Sequence, residues 1–457
     1  MTKLFGTDGI RGHAGQFPLD APTIRVIGAS LASHLREQLN KPEPLLVIGR
    51  DTRESGPWIE QAFIEGATGA GATCKSAGVI TTPGVAFLAR TLPADAGVVI
   101  SASHNPYQDN GIKIFSPSGR KLEDATERLI EADIRLAGSK DEPVENHSSS
   151  PPDSGEALIL QQGYLDFLEK EIGAGLSLIN LKLVIDCANG AASRLAPELF
   201  NRLGAKVIAI NNEPDGRNIN YNCGSLHIEG LIARVLAEGA DVGIAFDGDA
   251  DRALFVDSKG TFVDGDATMW ALAKYLDDKG KLKLRTVVAT VMSNLGLELA
   301  LQSKGLQLVR KDVGDKYVLE ELMRSGASLG GEQSGHLIFP GVSLAGDGMI
   351  TAISLLRAME ESGHLSLTEM TDGFTRYPQI LVNVRVSEKV PFEELPAVQS
   401  LVAEVKRELG NRGRLLLRYS GTERLARVMI EGEQQDVIEN YANRIADAIR
   451  SSIGSQA

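Results

Sequence analysis

The sequence predicts an α/β protein of three similar α/β domains with mixed sheets, followed by a C-terminal α+β domain, and two observations predict it. One plan recurs three times: an apolar strand, a polar loop, an amphipathic helix, then a glycine before the next strand. The plan begins at Leu45-Leu-Val-Ile-Gly-Arg-Asp-Thr, at Lys182-Leu-Val-Ile-Asp-Cys-Ala-Asn and at Thr286-Val-Val-Ala-Thr-Val-Met-Ser-Asn. Its helices are expected to end near Gly71, Gly204 and Gly305, since glycine readily takes the left-handed conformation that closes a helix. Beyond Asp372-Gly373 the pattern changes. It becomes a strand over Ile380 to Val386, a helix over Phe392 to Leu409, strands over Leu415 to Tyr419 and Arg427 to Glu431, and a last helix from about Gln435.

A chain of 457 residues exceeds one ordinary hydrophobic core, and at 43% hydrophobic residues it can fill several. Asn146-His-Ser-Ser-Ser-Pro-Pro-Asp-Ser-Gly155 is short, polar and prolyl and reads as a linker. Asp257-Ser-Lys-Gly260 reads as a turn at the next boundary. The expected domains are therefore 1–152, 153–257, 258–371 and 372–457. A formal net charge of -13 with no basic tract argues against nucleic acid or an anionic membrane as partner. Cys74, Cys187 and Cys223 are scattered without zinc-ligand spacing, which fits a reducing cytoplasm, and no apolar run approaches a bilayer span.

Asp247, Asp249 and Asp251 occupy alternate positions directly after the apolar stretch Val242 to Phe246. Three negative charges gathered so closely repel unless a hard divalent cation with oxygen ligands, such as Mg²⁺, sits among them. A calcium-binding EF-hand fails here, because Arg252 stands where its turn glycine belongs and Ser258 where its bidentate glutamate belongs. Ser101-Ala-Ser-His-Asn-Pro106 follows the apolar run Ala96 to Ile100, so Ser103 is expected at the exposed end of a strand, where open α/β sheets bind ligands. It is a candidate nucleophile, or merely part of a turn before Pro106; the flanking glycines of a hydrolase elbow are missing. Gly331-Glu-Gln-Ser-Gly-His336 offers a carboxylate, an amide and a hydroxyl that suit a polyhydroxylated ring. Arg418-Tyr-Ser-Gly-Thr-Glu423, backed by Arg427, suits a phosphate dianion. Four polar loops, each after a strand and each complementary to part of a metal-bound sugar phosphate, are hard to ascribe to chance.

Phe5-Gly-Thr-Asp-Gly-Ile-Arg-Gly12, Ser101 to Pro106 with Asn110-Gly-Ile-Lys113, Asp247 to Arg252, Gly331 to His336 and Arg418 to Glu423 resemble, in order, the signature loops of the α-D-phosphohexomutases. The resemblance covers essentially the whole chain and implies four domains arranged around a central cleft. Val313-Gly-Asp-Lys-Tyr-Val318, Pro378-Gln-Ile-Leu-Val-Asn-Val384 and Leu409-Gly-Asn-Arg-Gly413 are similar in style to the bacterial branch acting on glucosamine phosphate. By the resemblance, Ser103 is the phosphoserine, and its phosphate oxygen with Asp247, Asp249 and Asp251 holds Mg²⁺. Glu332 and Ser334 read the sugar hydroxyls. Arg418, Ser420, Gly421 and Thr422, supported by Arg427, clamp the phosphate that is not reacting. Arg11 and Lys113 lie near the reacting hydroxyl, and Arg252 accompanies the metal loop. The sequence departs from the family pattern at Ala250, where a glycine is common, and at Arg424, where a proline is usual.

The resemblance implies interconversion of a hexosamine 6-phosphate and 1-phosphate through a sugar bisphosphate, which is both intermediate and activator. Glucose or mannose phosphate is the alternative substrate, and a homodimer is left open. Lys113 is expected to accept the hydroxyl proton if cations and burial lower its pKa, Arg11 is a poor base, and His104 and His336 are other proton carriers. Two readings of another class stand beside this one: an aspartyl-phosphate phosphatase using Asp247, and a sugar-phosphate sensor without turnover.

Overall fold

A computed structural model describes residues 3–6, 8–138, 154–420 and 423–454. All but the last two residues of the expected linker lie outside the described residues. The chain divides into two compact units, Met1–Met292 with Leu308–Asp372, and Ser293–Gln307 with Gly373–Ala457.

Within the first unit, the strands expected at Leu45–Arg50, Lys182–Asp186 and Thr286–Thr290 form as read. They form because runs of β-branched and aliphatic side chains can be buried on both faces, as parallel strands require. Ala96–Ile100, Val242–Phe246 and Thr286–Thr290 are buried at every position. In the first sheet Leu45–Arg50 runs parallel to Thr73–Val79 on one side and to Ala96–Ile100 on the other, and Asp109–Phe115 pairs antiparallel with Ala96–Ile100. Gly9–His13 and Phe5–Gly6 extend the edge. The second sheet repeats this order: Lys182–Asp186 lies between Lys206–Ile210 and Val242–Phe246, both parallel, and Ala253–Asp257 returns antiparallel. The third repeats it again with Gln307–Lys311, Thr286–Thr290, Leu329–Gly331 and the antiparallel Leu337–Ile338.

Gly71, Gly204 and Gly305 all adopt positive φ, at 91°, 93° and 68°, just past the helices they were expected to close. Two details differ from the sequence reading. The turn at 258–261 is a hairpin inside the second sheet, since Phe262–Val263 pairs antiparallel with Ala253–Asp257; that sheet therefore continues past 257. Segment Ser293–Gln307, expected in the third domain, groups with the C-terminal unit.

In the C-terminal unit, Gln379–Arg385, Leu425–Gly432 and Gly413–Tyr419 form an antiparallel sheet with the second of these in the middle. Helices Pro396–Leu409 and Gln435–Ile453 cover it, burying Val398, Val405, Ile445 and Ile449 against Val384, Val428 and Ile430. The first helix starts at Pro396 rather than Phe392, because Phe392–Glu394 makes a 3₁₀ turn and the proline needs no backbone donor at a helix start.

Each of the three polar loops of the first unit spans the same topological position. Residues 101–108, 247–252 and 332–336 all connect the last parallel strand of a sheet to its antiparallel neighbour.

Candidate active site

Ser103 follows strand Ala96–Ile100 as expected but is fully buried rather than exposed, and it has a φ of 54°, the left-handed region that costs a non-glycine residue about 1–2 kcal/mol. Its N–H donates to Ser101 Oγ at 2.9 Å, and Ser101 Oγ donates to Asp51 Oδ2 at 2.6 Å. The Ser103 hydroxyl is thereby aimed out of the loop, where it donates to Asp247 Oδ2 at 2.6 Å and lies 3.2 Å from His104 Nδ1. Ser103 and the aspartate loop, 144 residues apart in sequence, thus meet in one site.

Asp247, Asp249 and Asp251 are buried and offer one oxygen each within 4.8 Å of one another. Asp249 Oδ2 accepts from Thr82 Oγ1 at 2.6 Å and from Lys113 Nζ at 2.7 Å, whereas Asp249 Oδ1 and Asp251 Oδ1 are buried without a hydrogen bond. Burial, then Asp251 and Asp249, pushes the Asp247 carboxyl well above its usual range. Burial would also raise Asp251, but His336, Lys113 and Arg252 outweigh it and hold that carboxyl well below. Three buried carboxylates that converge within 4.8 Å, with Asp249 Oδ1 making no hydrogen bond, are the oxygen donor set a hard divalent cation takes, so the residues fit a metal ion. Ala250, where the family pattern has glycine, sits at a φ of 54° and leaves the three carboxylates converging.

Lys113 overturns one expectation. Burial does act to lower its pKa, but Asp249 at 2.7 Å, Asp8 at 3.0 Å and Asp251 at 3.7 Å outweigh it and hold the ammonium well above its ordinary range. A lysine so paired is a fixed cation and a poor proton acceptor. Arg11 joins the same group through Asp8 and donates to Asn105 Oδ1 at 3.4 Å, and Lys121 bridges Asp8 at 2.7 Å and Asp315 at 2.8 Å. His104 is pushed down to about 4 by burial and by the Arg252 and Arg11 charges, so its imidazole is neutral. His336 is the reverse case: burial lowers it, but Asp251, Asp315 and Glu332 hold it up at about 9. Burial likewise opposes the charge on Arg252, and Asp247 and Asp251 outweigh it, with Nε 3.7 Å from Asp251 Oδ1.

Glu332 begins the loop after Leu329–Gly331; its N–H donates to the His336 carbonyl at 2.9 Å, and its Oε1 accepts from Gly314 N–H at 3.2 Å. Ser334 Oγ is buried without a hydrogen bond. Gln333 Nε2 reaches Asp264 Oδ2 at 3.4 Å, which anchors the loop to the start of helix Gly265–Asp278.

In the C-terminal unit, Arg418 and Arg427 stand directly opposite each other on paired strands. Two guanidinium groups so placed repel, and an anion between them relieves the repulsion. Arg427 Nη2 reaches Glu423 Oε2 at 3.3 Å and Ser420 Oγ at 3.5 Å, and its buried Nε has no partner. Gly421 and Thr422 lie outside the described residues. Arg424 is tied down: its carbonyl accepts from Val386 N–H at 3.0 Å and its Nη1 donates to the Ser387 carbonyl at 3.2 Å.

Sequence reasoning missed Asp8, Arg53, Thr82, Asn220 and Asp315. Asp8 stood inside a recognised motif. Arg53 closes Gly49-Arg-Asp-Thr-Arg53, a charged run that begins at the end of a buried strand, which could have drawn attention to it.

Family models described as Phosphoglucomutase/phosphomannomutase alpha/beta/alpha domains I, II and III and C-terminal domain match residues 2–140, 162–260, 264–377 and 381–448. A protein of Solibacter usitatus named phosphoglucosamine mutase is 51% identical over 457 residues, covering 99% of each chain. One of the same name from Mycobacterium ulcerans is 45% identical over 452 residues, 99% of this chain and 100% of that one. Among solved structures, a phosphoglucomutase/phosphomannomutase family protein of Burkholderia thailandensis has the same fold, with a TM-score of 0.77 at 23% identity over 99% of both chains. Aspergillus fumigatus N-acetylphosphoglucosamine mutase, crystallised with GlcNAc-6P and magnesium, matches with a TM-score of 0.68 at 20% identity over 99% of this chain and 96% of that one. Among the described residues, no helix is long and apolar enough to cross a membrane.

Proposed function

The chain belongs to the phosphoglucomutase/phosphomannomutase family, and from that premise we propose that it interconverts glucosamine 6-phosphate and glucosamine 1-phosphate through a phosphoserine at Ser103. The observation that carries the reading is the Ser103 hydroxyl, held 2.6 Å from Asp247 within a cluster of three buried aspartates.

In the proposed cycle, phosphorylated Ser103 gives its phosphoryl group to a free sugar hydroxyl: the new bond to the sugar oxygen forms as the Ser103 Oγ–phosphorus bond breaks, and the proton lost from the sugar hydroxyl is made good on the released Ser103 Oγ. The resulting bisphosphate turns end for end, and Ser103 Oγ takes back the other phosphoryl group. Asp247, Asp249 and Asp251, with a phosphate oxygen on Ser103, would hold Mg²⁺. Mg²⁺ bound there supplies neutralisation of the charge that develops on the transferring group and the serine oxygen. Lys113 and Arg11 serve as fixed cations beside the phosphoryl group, since phosphoryl transfer depends mainly on positioning and charge. Arg252 completes that positive wall. Glu332 and Ser334 orient the sugar, and Arg418, Ser420, Gly421, Thr422 and Arg427 clamp the idle phosphate. His336, a cation beside Asp251 and Asp315, would relay that proton, giving up its own to the released oxygen and taking the sugar's in its place.

Relatives 44–51% identical over the full chain carry the name phosphoglucosamine mutase, which supports glucosamine over the alternative, the same chemistry on glucose or mannose phosphate. Ser103→Ala is expected to lose turnover while retaining sugar-phosphate binding, and mass analysis of the wild-type protein is expected to find acid-stable phosphate on Ser103. Wild-type turnover in the variant would overturn the phosphoserine role, and label on Asp247 would favour a phosphatase. Turnover compared across the three hexose phosphates assigns the sugar.

A further inference from the structure

We infer that Arg53 and Asn220 are positioning residues that hold the Ser103 loop in its reactive conformation. The inference rests on the mutase reading above and concerns two side chains that reading does not use.

The Arg53 guanidinium is completely buried, and every one of its five N–H donors is taken by protein. Nε donates to Asp51 Oδ2 at 2.9 Å, Nη1 to the carbonyls of Pro106 and of Asp109, the latter at 3.0 Å, and Nη2 to the carbonyls of Ser103 at 2.9 Å and Asn105 at 2.8 Å. With no donor left over, Arg53 is not a substrate ligand. Its four Nη bonds all go to backbone carbonyls within residues 103–109, and that stretch carries the reactive serine.

Asn220 approaches the same two carbonyls from the loop that follows strand Lys206–Ile210: its Nδ2 donates to Ser103 O at 2.9 Å and to Asn105 O at 3.1 Å. Two side chains thus clasp the carbonyls on either side of His104 with four hydrogen bonds. The metal loop closes the cradle, since a Cβ added to Gly248 would lie 2.5 Å from Ser103 O and 2.9 Å from Asn220 Nδ2. The charge of Arg53 is balanced by Asp51, which also accepts from Ser101 Oγ, the group that fixes the Ser103 N–H. Both ends of the Ser103 peptide are therefore pinned, and this sustains the unfavourable φ of 54° that sends Oγ toward Asp247. Lysine cannot reproduce this, because an ammonium lacks the planar fork of five donors.

The test is steady-state and single-turnover kinetics of full-length Arg53→Lys, Asn220→Ala and Asn220→Asp with Mg²⁺ and glucosamine phosphate, alongside thermal melting. Asn220→Asp keeps the shape of the side chain and removes its donor. Misplacing a reacting group by about 1 Å costs on the order of 10²-fold in rate. A kcat fall of that order in Arg53→Lys and in Asn220→Asp is expected, with KM little changed and phosphoryl transfer from phosphorylated Ser103 slowed in parallel. If Arg53→Lys does not fold, the two Asn220 variants decide. Variants that melt earlier but keep wild-type kcat would assign both residues a purely structural role and overturn the inference, as would a rise in KM at unchanged kcat. Failure of the mutase reading is distinguishable, because it would appear as no isomerisation by the wild-type enzyme.

Discussion

Asp347 shows what burial does to a single carboxyl group. It caps helix Gly348–Glu361 through bonds from the Met349 and Ile350 N–H groups at 2.9 and 3.0 Å and accepts from Tyr164 Oη at 2.7 Å. Burial outweighs these bonds and pushes it up to about 6. In the unfolded chain the same group ionises at about pH 4. Its contribution to stability is therefore fully present below that pH and is lost as the pH rises through about 6. Asp347→Asn cannot ionise, so melting curves should show it gaining on wild type between about pH 4 and pH 7, by up to about 3 kcal/mol. A difference that stays flat across that window would show the carboxyl ionising normally. Individual residues were unevenly readable from sequence. The aspartate triad was plain, because its alternation is local. The protonation of Lys113 was not, because the three carboxylates that set it come from two distant segments. Arg53 was missed for the same reason: its partners lie 50 to 56 residues away, apart from Asp51.

At the level of elements, strands and helix ends were largely legible, since apolar runs and closing glycines are properties of contiguous sequence. The turn at Asp257-Ser-Lys-Gly260 lies close to the change from the second family model to the third but belongs to a hairpin that keeps Phe262–Val263 in the second sheet, because a hairpin uses the same residue types as a linker. Close approach of elements is invisible in sequence until the fold is known. Gly265, the first residue of its helix, sits under the Glu332 loop: a Cβ there would lie 2.1 Å from Glu332 O and 2.8 Å from Gly335 N. Both are backbone atoms and cannot swing aside. Gly265→Ala should therefore displace the loop, lower stability by about 1–3 kcal/mol and weaken sugar-phosphate binding. Calorimetric titration alongside melting measures both, and unaltered affinity would mean that the loop absorbs the methyl group elsewhere.

For the whole molecule, the first unit brings the serine, aspartate and Glu332 loops from three separate sheets. A cation that binds only the folded aspartate cluster stabilises that unit by mass action, about 2.7 kcal/mol at one hundred times its Kd. Addition of Mg²⁺ should raise the melting temperature, a chelator should reverse the rise, and Asp249→Asn should remove most of it. Melting that ignores Mg²⁺ would exclude the aspartates as a cation site. The same order of four strands recurs in all three sheets, and one turn in each, at a fixed place, carries the proposed chemistry. Scaffold and reactivity consequently lie on different stretches of chain: the central strands are buried throughout, and the polar side chains stand on the turns that follow them. A lineage could thus change which hexose it accepts while the apparatus that carries phosphorus stays as it was.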